Sequence, residues 1–572
     1  MTDRTWADAV ILGCMKRGWN HFFVAPGSRC TPLTHAIARQ PDAIVTQHFD
    51  ERGLAFATLG YARAYRRPGI FVCTSGTAVA NAFPAVIEAS MESIPMLLLT
   101  ADRPPELLGT GSNQTINQEQ IFGNYPVYFG NVLPPEELGI CDQKLANTLS
   151  RQLLDPGFEV ANQGPVHFNL MFREPFTTTD ENGSDSDRPE TQTSQPAKDV
   201  ERDEDQVSSK TFVDRQRSLS DTDGRCHFPI QIMGNTLMVA GTCDSCEANE
   251  VLRLSQQTNC PLLSDITSGL RTGSLEIPDE VTLPRPDNIV HFGDRVVSKS
   301  YLRWTKKFVD AGTRFFRFTA SGITFNPNKI EQTQLRFDLR DLDSKLSITS
   351  PTSAFQKSWR QAISRRDQIL ALHFDSENQN FSEPAIAHAI SRHCPPDTGL
   401  FIGNSMPIRD LDWYGNGFAD VARQIVANRG ASGIDGLIAT AAGYALGLAQ
   451  TTTVVVGDLS TLHDLNSFAL VAQSRWPMIV IVVNNGGGHI FDMLPIHASQ
   501  HFDKFFLTPH NYHFEQAAKM FGLEFFQINN LKDFGDIYQK AINGNQSVVL
   551  ELLTDRIENT RVRKKLQSEF RQ

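Results

Sequence analysis

The stretch GDLSTLHDLNSFALVAQSRWPMIVIVVNNGGGHIF, residues 457–491, decides the fold class. An apolar run over 452–457 ends in Gly457-Asp458, a helical pattern follows over 464–475, and a second apolar run over 478–483 ends in Asn484-Asn485. Strand, crossover helix and strand in that order make a βαβ unit, whose right-handed crossover sets the two strands parallel in one sheet. Asp458 and Asn485 then stand at the carboxyl edge, where open α/β sheets bind ligands. A carboxylate, a carboxamide oxygen and a free backbone carbonyl at Gly487 supply half of an octahedral shell of hard oxygens, leaving the rest to water and phosphate. That set suits Mg²⁺ bridging a diphosphate, with Mn²⁺ as the alternative ion. The glycines at 486–488 let the backbone approach closely. Taken singly, these residues have plainer uses: Asp458 as an N-cap, Asn484-Asn485 as a turn.

The same alternation extends outward. A further strand is expected at 547–552 and a helix at 436–449. Near the N-terminus, strands at 21–25, 43–48, 69–73 and 95–100 alternate with helices such as 53–66 and 77–91, and a third set lies at 236–240, 288–292 and 314–318. The fold class is therefore α/β, with three parallel-sheet domains expected at 1–179, 229–350 and 351–572. Between the first two lies an acidic stretch, 180–228, read as a flexible linker because its few apolar residues show no period. From Asp180 to Arg225 there are 13 Asp and Glu against 7 Lys and Arg, so this stretch carries over half of the net charge of −11. The body is nearly balanced, which argues against a nucleic-acid partner. No apolar run approaches the ~20 residues needed to cross a bilayer. Met1 to Trp6 does not begin a secretory signal, and nine cysteines without framework spacing suit a reducing compartment, so the cytoplasm is expected.

Asp458 and Asn485, 27 positions apart and each at a strand end, resemble the Gly-Asp to Asn-Asn signature of thiamine-diphosphate (ThDP) enzymes. The position after Gly-Asp, often Gly or Ala there, is Leu459. Such enzymes hold a glutamate against N1′ of the aminopyrimidine, favouring the imino tautomer that removes the thiazolium C2 proton. Glu51, in HFDERG (48–53), is the candidate; a plain helix-start acid is the alternative. The phrases APGSRCTPLT (25–34), TSGTAVAN (74–81), LLTADRPPEL (98–107), SNQTINQ (112–118), GPVHFNLMFREP (164–175), IGNSMPIRDLD (402–412) and NRGASGIDG (428–436) narrow the resemblance further. They are similar to the MenD family, the 2-succinyl-5-enolpyruvyl-6-hydroxy-3-cyclohexene-1-carboxylate (SEPHCHC) synthases of menaquinone and phylloquinone biosynthesis.

This resemblance implies pyrimidine-binding, central and diphosphate-binding domains in chain order. It implies ThDP-dependent decarboxylation of 2-oxoglutarate and addition of the succinic-semialdehyde carbanion to isochorismate, in a homodimer or dimer of dimers with shared sites. By position in the family motifs, Ser28, Arg29, Arg103, Asn113, Gln114, Lys299, Arg409 and Arg429 would bind these polyanionic substrates, for which guanidinium forks are suited. Ile490, beside the cofactor, and Phe491 would wall the apolar side. Ile434 would prop the cofactor in its bent shape, with Ser405 in a loop beside it, and Asp458, Asn485 and Gly487 would hold the metal. Two departures stand out: Lys299-Ser300 where the family often has Lys-Arg, and Cys30 where Ser or Thr is usual, a small buried replacement or an oxidisable thiol. Rival readings are another ThDP lyase or ligase, or an inert scaffold, which should have lost Glu51 or the metal ligands. Cys243-Asp244-Ser245-Cys246 reads as a strand-helix turn, and Thr74-Ser75-Gly76-Thr77 as an N-cap. No dinucleotide or ATP-loop glycine pattern occurs.

Overall fold

Apolar runs become buried parallel strands wherever helices cover both sheet faces. The computed structural model describes residues 2–174, 229–321, 323–375, 381–416 and 421–571; the expected linker, 180–228, lies outside them. The N-terminal sheet contains β1 (His21–Val24), β2 (Ile44–Gln47), β3 (Gly69–Cys73), β4 (Met96–Asp102), β5 (Tyr128–Val132) and β6 (Pro165–Met171), ordered β2-β1-β3-β4-β6-β5. All its pairings are parallel. β3, β4 and β6 are buried along their whole length. Inside β6, Asn169 bonds to Gln118 and Asp102 and His167 Nε2 to Thr100, while His167 Nδ1 is buried without a partner; burial pushes the His167 pKa down to about 3, so its ring is neutral.

The middle of the chain supplies β7 (Ile230–Ile232), β8 (Thr236–Ala240), β9 (Leu262–Ser264), β10 (Asn288–Phe292), β11 (Arg314–Thr319), β12 (Thr333–Arg336) and β13 (Leu346–Ile348). Five form a sheet, β12-β11-β10-β8-β9, and β13 pairs with β7 alone. The C-terminal sheet holds β14 (Gly399–Ile402), β15 (Gln424–Val426), β16 (Thr452–Gly457), β17 (Met478–Asn484), β18 (Glu524–Ile528) and β19 (Val548–Leu553), ordered β15-β14-β16-β17-β19-β18. Counted from its own first strand, this is the order of the N-terminal sheet.

Six helices position the site: α1 (Glu51–Tyr65), α2 (Glu383–His393), α3 (Met406–Tyr414), α4 (Leu437–Leu448), α5 (Asp458–His463) and α6 (Arg556–Arg571). The helix expected over 77–91 is two, Thr77–Asn81 and Phe83–Met91, the second opening with Pro84 in its first turn. The helix expected over 464–475 is likewise a 3-10 turn, Leu465–Ser467, followed by Phe468–Gln473. α1 and α4 follow the second strand of their respective sheets and cross at two glycines. A Cβ at Gly60 would lie 1.9 Å from the carbonyl oxygen of Thr440, and one at Gly443 would lie 1.8 Å from that of Ala57. Around this crossing one core runs continuously from Phe56 and Ala57 to Leu437 and Ala441.

Candidate active site

At the carboxyl edge of the C-terminal sheet lies a cavity of about 230 Å³ whose wall includes Ser405, Ile434, Asp458, Asn485, Gly487, Ile490 and Phe491. Asp458 is not an N-cap. Gly457 takes that place, and Asp458 is the first residue of α5. Its Oδ2 accepts from the N–H groups of Gly486 and Gly487 at 2.9 and 3.0 Å, and its Oδ1 from Leu459 N–H at 2.6 Å, so it ties the end of β16 to the loop after β17. Burial pushes its carboxyl above the usual range, while the N–H of Leu459 and nearby His510 pull it back. His510 Nδ1 accepts from Tyr512 N–H, and its Nε2 lies 3.3 Å from Asp458 Oδ2.

The two asparagines of the doublet have different work. Asn484 braces the fold: its amide donates to Glu551 and to the Tyr512 carbonyl. Asn485 donates to Glu383, and its Oδ1 is buried without a hydrogen-bond partner. An orphaned buried oxygen is costly unless a ligand completes it, so this atom fits a hard cation. The Gly487 carbonyl, expected to be free, accepts from His489 N–H at 3.0 Å and keeps one lone pair. Ser405 caps α3 at φ 72°, a region costly for a residue with a side chain and typical of functional sites.

A second cluster occupies the carboxyl edge of the N-terminal sheet. Glu51 is the first residue of α1, after the capping Asp50, and lies near enough to Cys73 at the end of β3 to raise its thiol pKa further, burial being the main cause. Arg29 is buried, donating to the Phe172 carbonyl and to Glu174, while Arg103 follows β4 with Nη1 buried and unpartnered. Gln114 donates to the Ser75 carbonyl. Ser28 and Asn113 are exposed nearby in sequence. None of these residues reaches the wall of the first cavity.

The chain is similar to known proteins over nearly its whole length. Family models match at residues 4–121 (thiamine pyrophosphate enzyme, N-terminal TPP binding domain), 207–402 (middle domain of thiamine pyrophosphate) and 417–552 (C-terminal TPP binding domain). A protein of Rubrobacter xylanophilus named 2-succinyl-5-enolpyruvyl-6-hydroxy-3-cyclohexene-1-carboxylate synthase is 37% identical, over 99% of this chain and 98% of its own. One of Salinibacter ruber with the same name is 35% identical, over 98% and 96%. The chain belongs to the SEPHCHC synthase family. Its domains are of the type that binds thiamine diphosphate.

For this family member the remaining expected residues fall as follows. Arg409, on α3, donates to the Ser405 carbonyl, and Arg429 donates to Asn404 at 2.6 Å. Burial lowers the pKa of both guanidinium groups, and the presence of Arg429 lowers that of Arg409 further. Carboxylates offset part of this: Asp265, Glu92 and Glu88 act on Arg429, and Asp410 and Glu276 on Arg409. Lys299 is exposed at a helix start, away from the cavity, and Ser300 does not replace a guanidinium, because its hydroxyl donates to the Ile277 carbonyl in the core. Cys30 is buried with its thiol pKa raised by burial, which fits packing and not easy oxidation. Ser75 does not cap a helix: Gly76 does, at φ 82° and with no side-chain bond, and its N–H donates to buried Gln118. Cys243 lies in the expected turn after β8, and Cys246 is already in the first turn of the helix Ser245–Thr258, which opens on a capping box of Asp244 and Glu247. Gln118, Glu383, His510 and Arg563 were not singled out by sequence, since their partners are remote in the chain.

Proposed function

We propose that the synthase decarboxylates 2-oxoglutarate and adds the remaining four-carbon unit to isochorismate, giving SEPHCHC and CO2 on the way to menaquinone or phylloquinone. The observation that carries this is the convergence of Asp458, the unpartnered Asn485 oxygen and Gly487 in one cavity with Ser405, Ile434, Ile490 and Phe491. In this reading Asp458, Asn485 and Gly487 hold Mg²⁺ or Mn²⁺ against the diphosphate. Bound there, ThDP supplies the carbon nucleophile and the electron sink for decarboxylation. Ile434 props the cofactor, Ile490 and Phe491 exclude water, and Arg409 and Arg429 take substrate carboxylates. Ser28, Arg29, Arg103, Asn113, Gln114 and Lys299 complete substrate binding from other elements.

Glu51 would donate its carboxyl proton in a hydrogen bond to pyrimidine N1′. Within one chain it lies on the other sheet's edge, so we infer a homodimer, or a dimer of dimers, in which a partner supplies Glu51 to each cavity. Support comes from exposed apolar groups beside both halves: Ile44, Val45 and Phe49 before Glu51, and Ile434 at the cavity. Unpaired cysteines suit work in the reducing cytoplasm. Among the described residues no helix is long and apolar enough to cross a membrane. Incubating the protein with ThDP, Mg²⁺, 2-oxoglutarate and isochorismate should release CO2 and yield SEPHCHC by mass. Turnover of pyruvate in preference to 2-oxoglutarate would overturn the reading.

A further inference from the structure

The Asn485 carboxamide is held from behind by one residue that nothing in the motif announces. Its Nδ2 donates to Glu383 Oε1 at 2.7 Å, while its Oδ1 is buried and unpartnered. A carboxylate only accepts, so it dictates which end of the amide faces it and turns the oxygen the other way. Glu383, the first residue of α2, is itself fixed. Oε1 also accepts from Asn559 at 2.8 Å and Thr554 at 3.3 Å, Asn559 Oδ1 accepts from the Glu383 N–H at 2.9 Å, and Oε2 accepts from Arg563. Arg563 grips Asp410 with both Nε, at 3.1 Å, and Nη2, at 2.5 Å. Glu383, Asp410, Asn559 and Arg563 are all buried.

We propose that Glu383 is a positioning residue of the diphosphate site, setting the Asn485 oxygen toward the metal, and that α6, through Asn559 and Arg563, belongs to the cofactor-binding apparatus. This rests on the reading of Asn485 as a metal ligand. A residue behind a metal ligand typically changes metal affinity about 10–100-fold when it is lost. A merely structural ion cluster would instead act through its charge, altering stability while leaving the metal affinity of folded protein alone.

Calorimetric titration of the full chain with ThDP, at graded Mg²⁺ concentrations, separates these roles. Glu383→Met should raise the half-saturating Mg²⁺ concentration about 10–100-fold. Asn485→Asp alone should also raise it, because two carboxylates then face each other in a buried place. Combined with Glu383→Met, however, Asn485→Asp should restore binding, since a carboxylate presents an oxygen whichever way it turns. That reversal of sign is not expected of a structural role. If Glu383→Met alone does not fold, Glu383→Met with Arg563→Met and Asp410→Asn removes the whole charge cluster and tests the same loss and the same rescue. Wild-type Mg²⁺ dependence in Glu383→Met, or no rescue by Asn485→Asp, overturns the inference. Unchanged Mg²⁺ dependence in Asp458→Ala would instead overturn the metal reading beneath it.

Discussion

The N-terminal and C-terminal sheets repeat one strand order, yet their carboxyl edges carry different chemistry. After the first strand of each come a serine and an arginine: Ser28-Arg29 after β1, Ser405 and Arg409 after β14. After the third strand the two diverge. β3 leads into Thr74-Ser75-Gly76, braced by Gln118, whereas β16 leads into Asp458. After the fourth, β4 ends in Asp102, whose carboxylate is spent on Asn169 and the Arg103 N–H, while β17 leads into Asn485 with its oxygen unspent. Topology therefore chooses the edge. Which polar atoms remain unsatisfied there decides what the edge holds.

The strongest way to break this contrast is to strip one edge at a time. Asp458→Ala should abolish tight Mg²⁺-dependent ThDP binding, measured by calorimetry. Glu51→Gln should bind ThDP within about threefold of wild type yet lose about 10²–10⁴-fold in turnover, the usual weight of a positioned acid or base. If both variants lose binding equally, the edges are not divided as described. Mixing the two inactive proteins under subunit exchange should then restore activity, approaching about half of wild type per heterodimer, because one of two symmetric sites is intact. Heterodimers that stay inactive would favour a site within one chain.

Arg409→Ala sharpens the contrast within the C-terminal edge. The apparent KM for 2-oxoglutarate or isochorismate should rise about 10–100-fold, the weight of a charged hydrogen bond, with ThDP affinity unchanged. The shared element between the sheets is the α1–α4 crossing, and Gly443→Ala should cost about 3 kcal/mol in urea unfolding, because its Cβ would press on the Ala57 carbonyl. A pH-dependent effect concerns Asp412 on α3, whose counterpart helix after β1, Thr31–Ala38, has no acid. Burial, then Asp265, pushes the Asp412 carboxyl up to about 8. A folded-state pKa raised above the ordinary carboxylate value gives stability present below that value and lost as pH rises through about 8. Asp412→Asn, neutral throughout, should gain in Tm over wild type as pH rises from about 4 to about 8, and no further above that. A constant difference would refute the assignment.

Strands buried on both faces were legible where apolar residues dominate a run of five or more: β3, β8 and β10, the last despite Asn288 and His291, fall at the expected limits, whereas the shorter β9 and β14 were not read. β6 was not read as a strand, and the partners of its His167 and Asn169, Thr100 and Asp102, come from another strand remote in the chain. β5 and β18 are edge strands with only partly buried faces, so they lack the apolar run altogether. In the candidate site, the pairing of Asp458 with Asn485 was legible from their strand-end positions together with the resemblance to the Gly-Asp to Asn-Asn signature. The different duties of Asn484 and Asn485 were not, because Asn484 ends β17 against Glu551 while Asn485 opens the following loop and meets Glu383, and each partner is remote in the chain.

By itself the sequence determined the α/β class, the ligand edge and the polar groups that close βαβ units, since periodicity and strand-end chemistry are local properties. That Glu51 and Asp458 belong to different sheets was legible from their domains; only the tertiary structure shows that Glu51 of the same chain does not reach the wall of the cavity that Asp458 lines. Only it could show that Glu383, 102 residues before Asn485, orients that amide, and that Arg563, 180 residues beyond Glu383, holds the glutamate. Such pairings arise from packing between distant elements, and a buried hydrogen bond leaves no period in the chain that makes it.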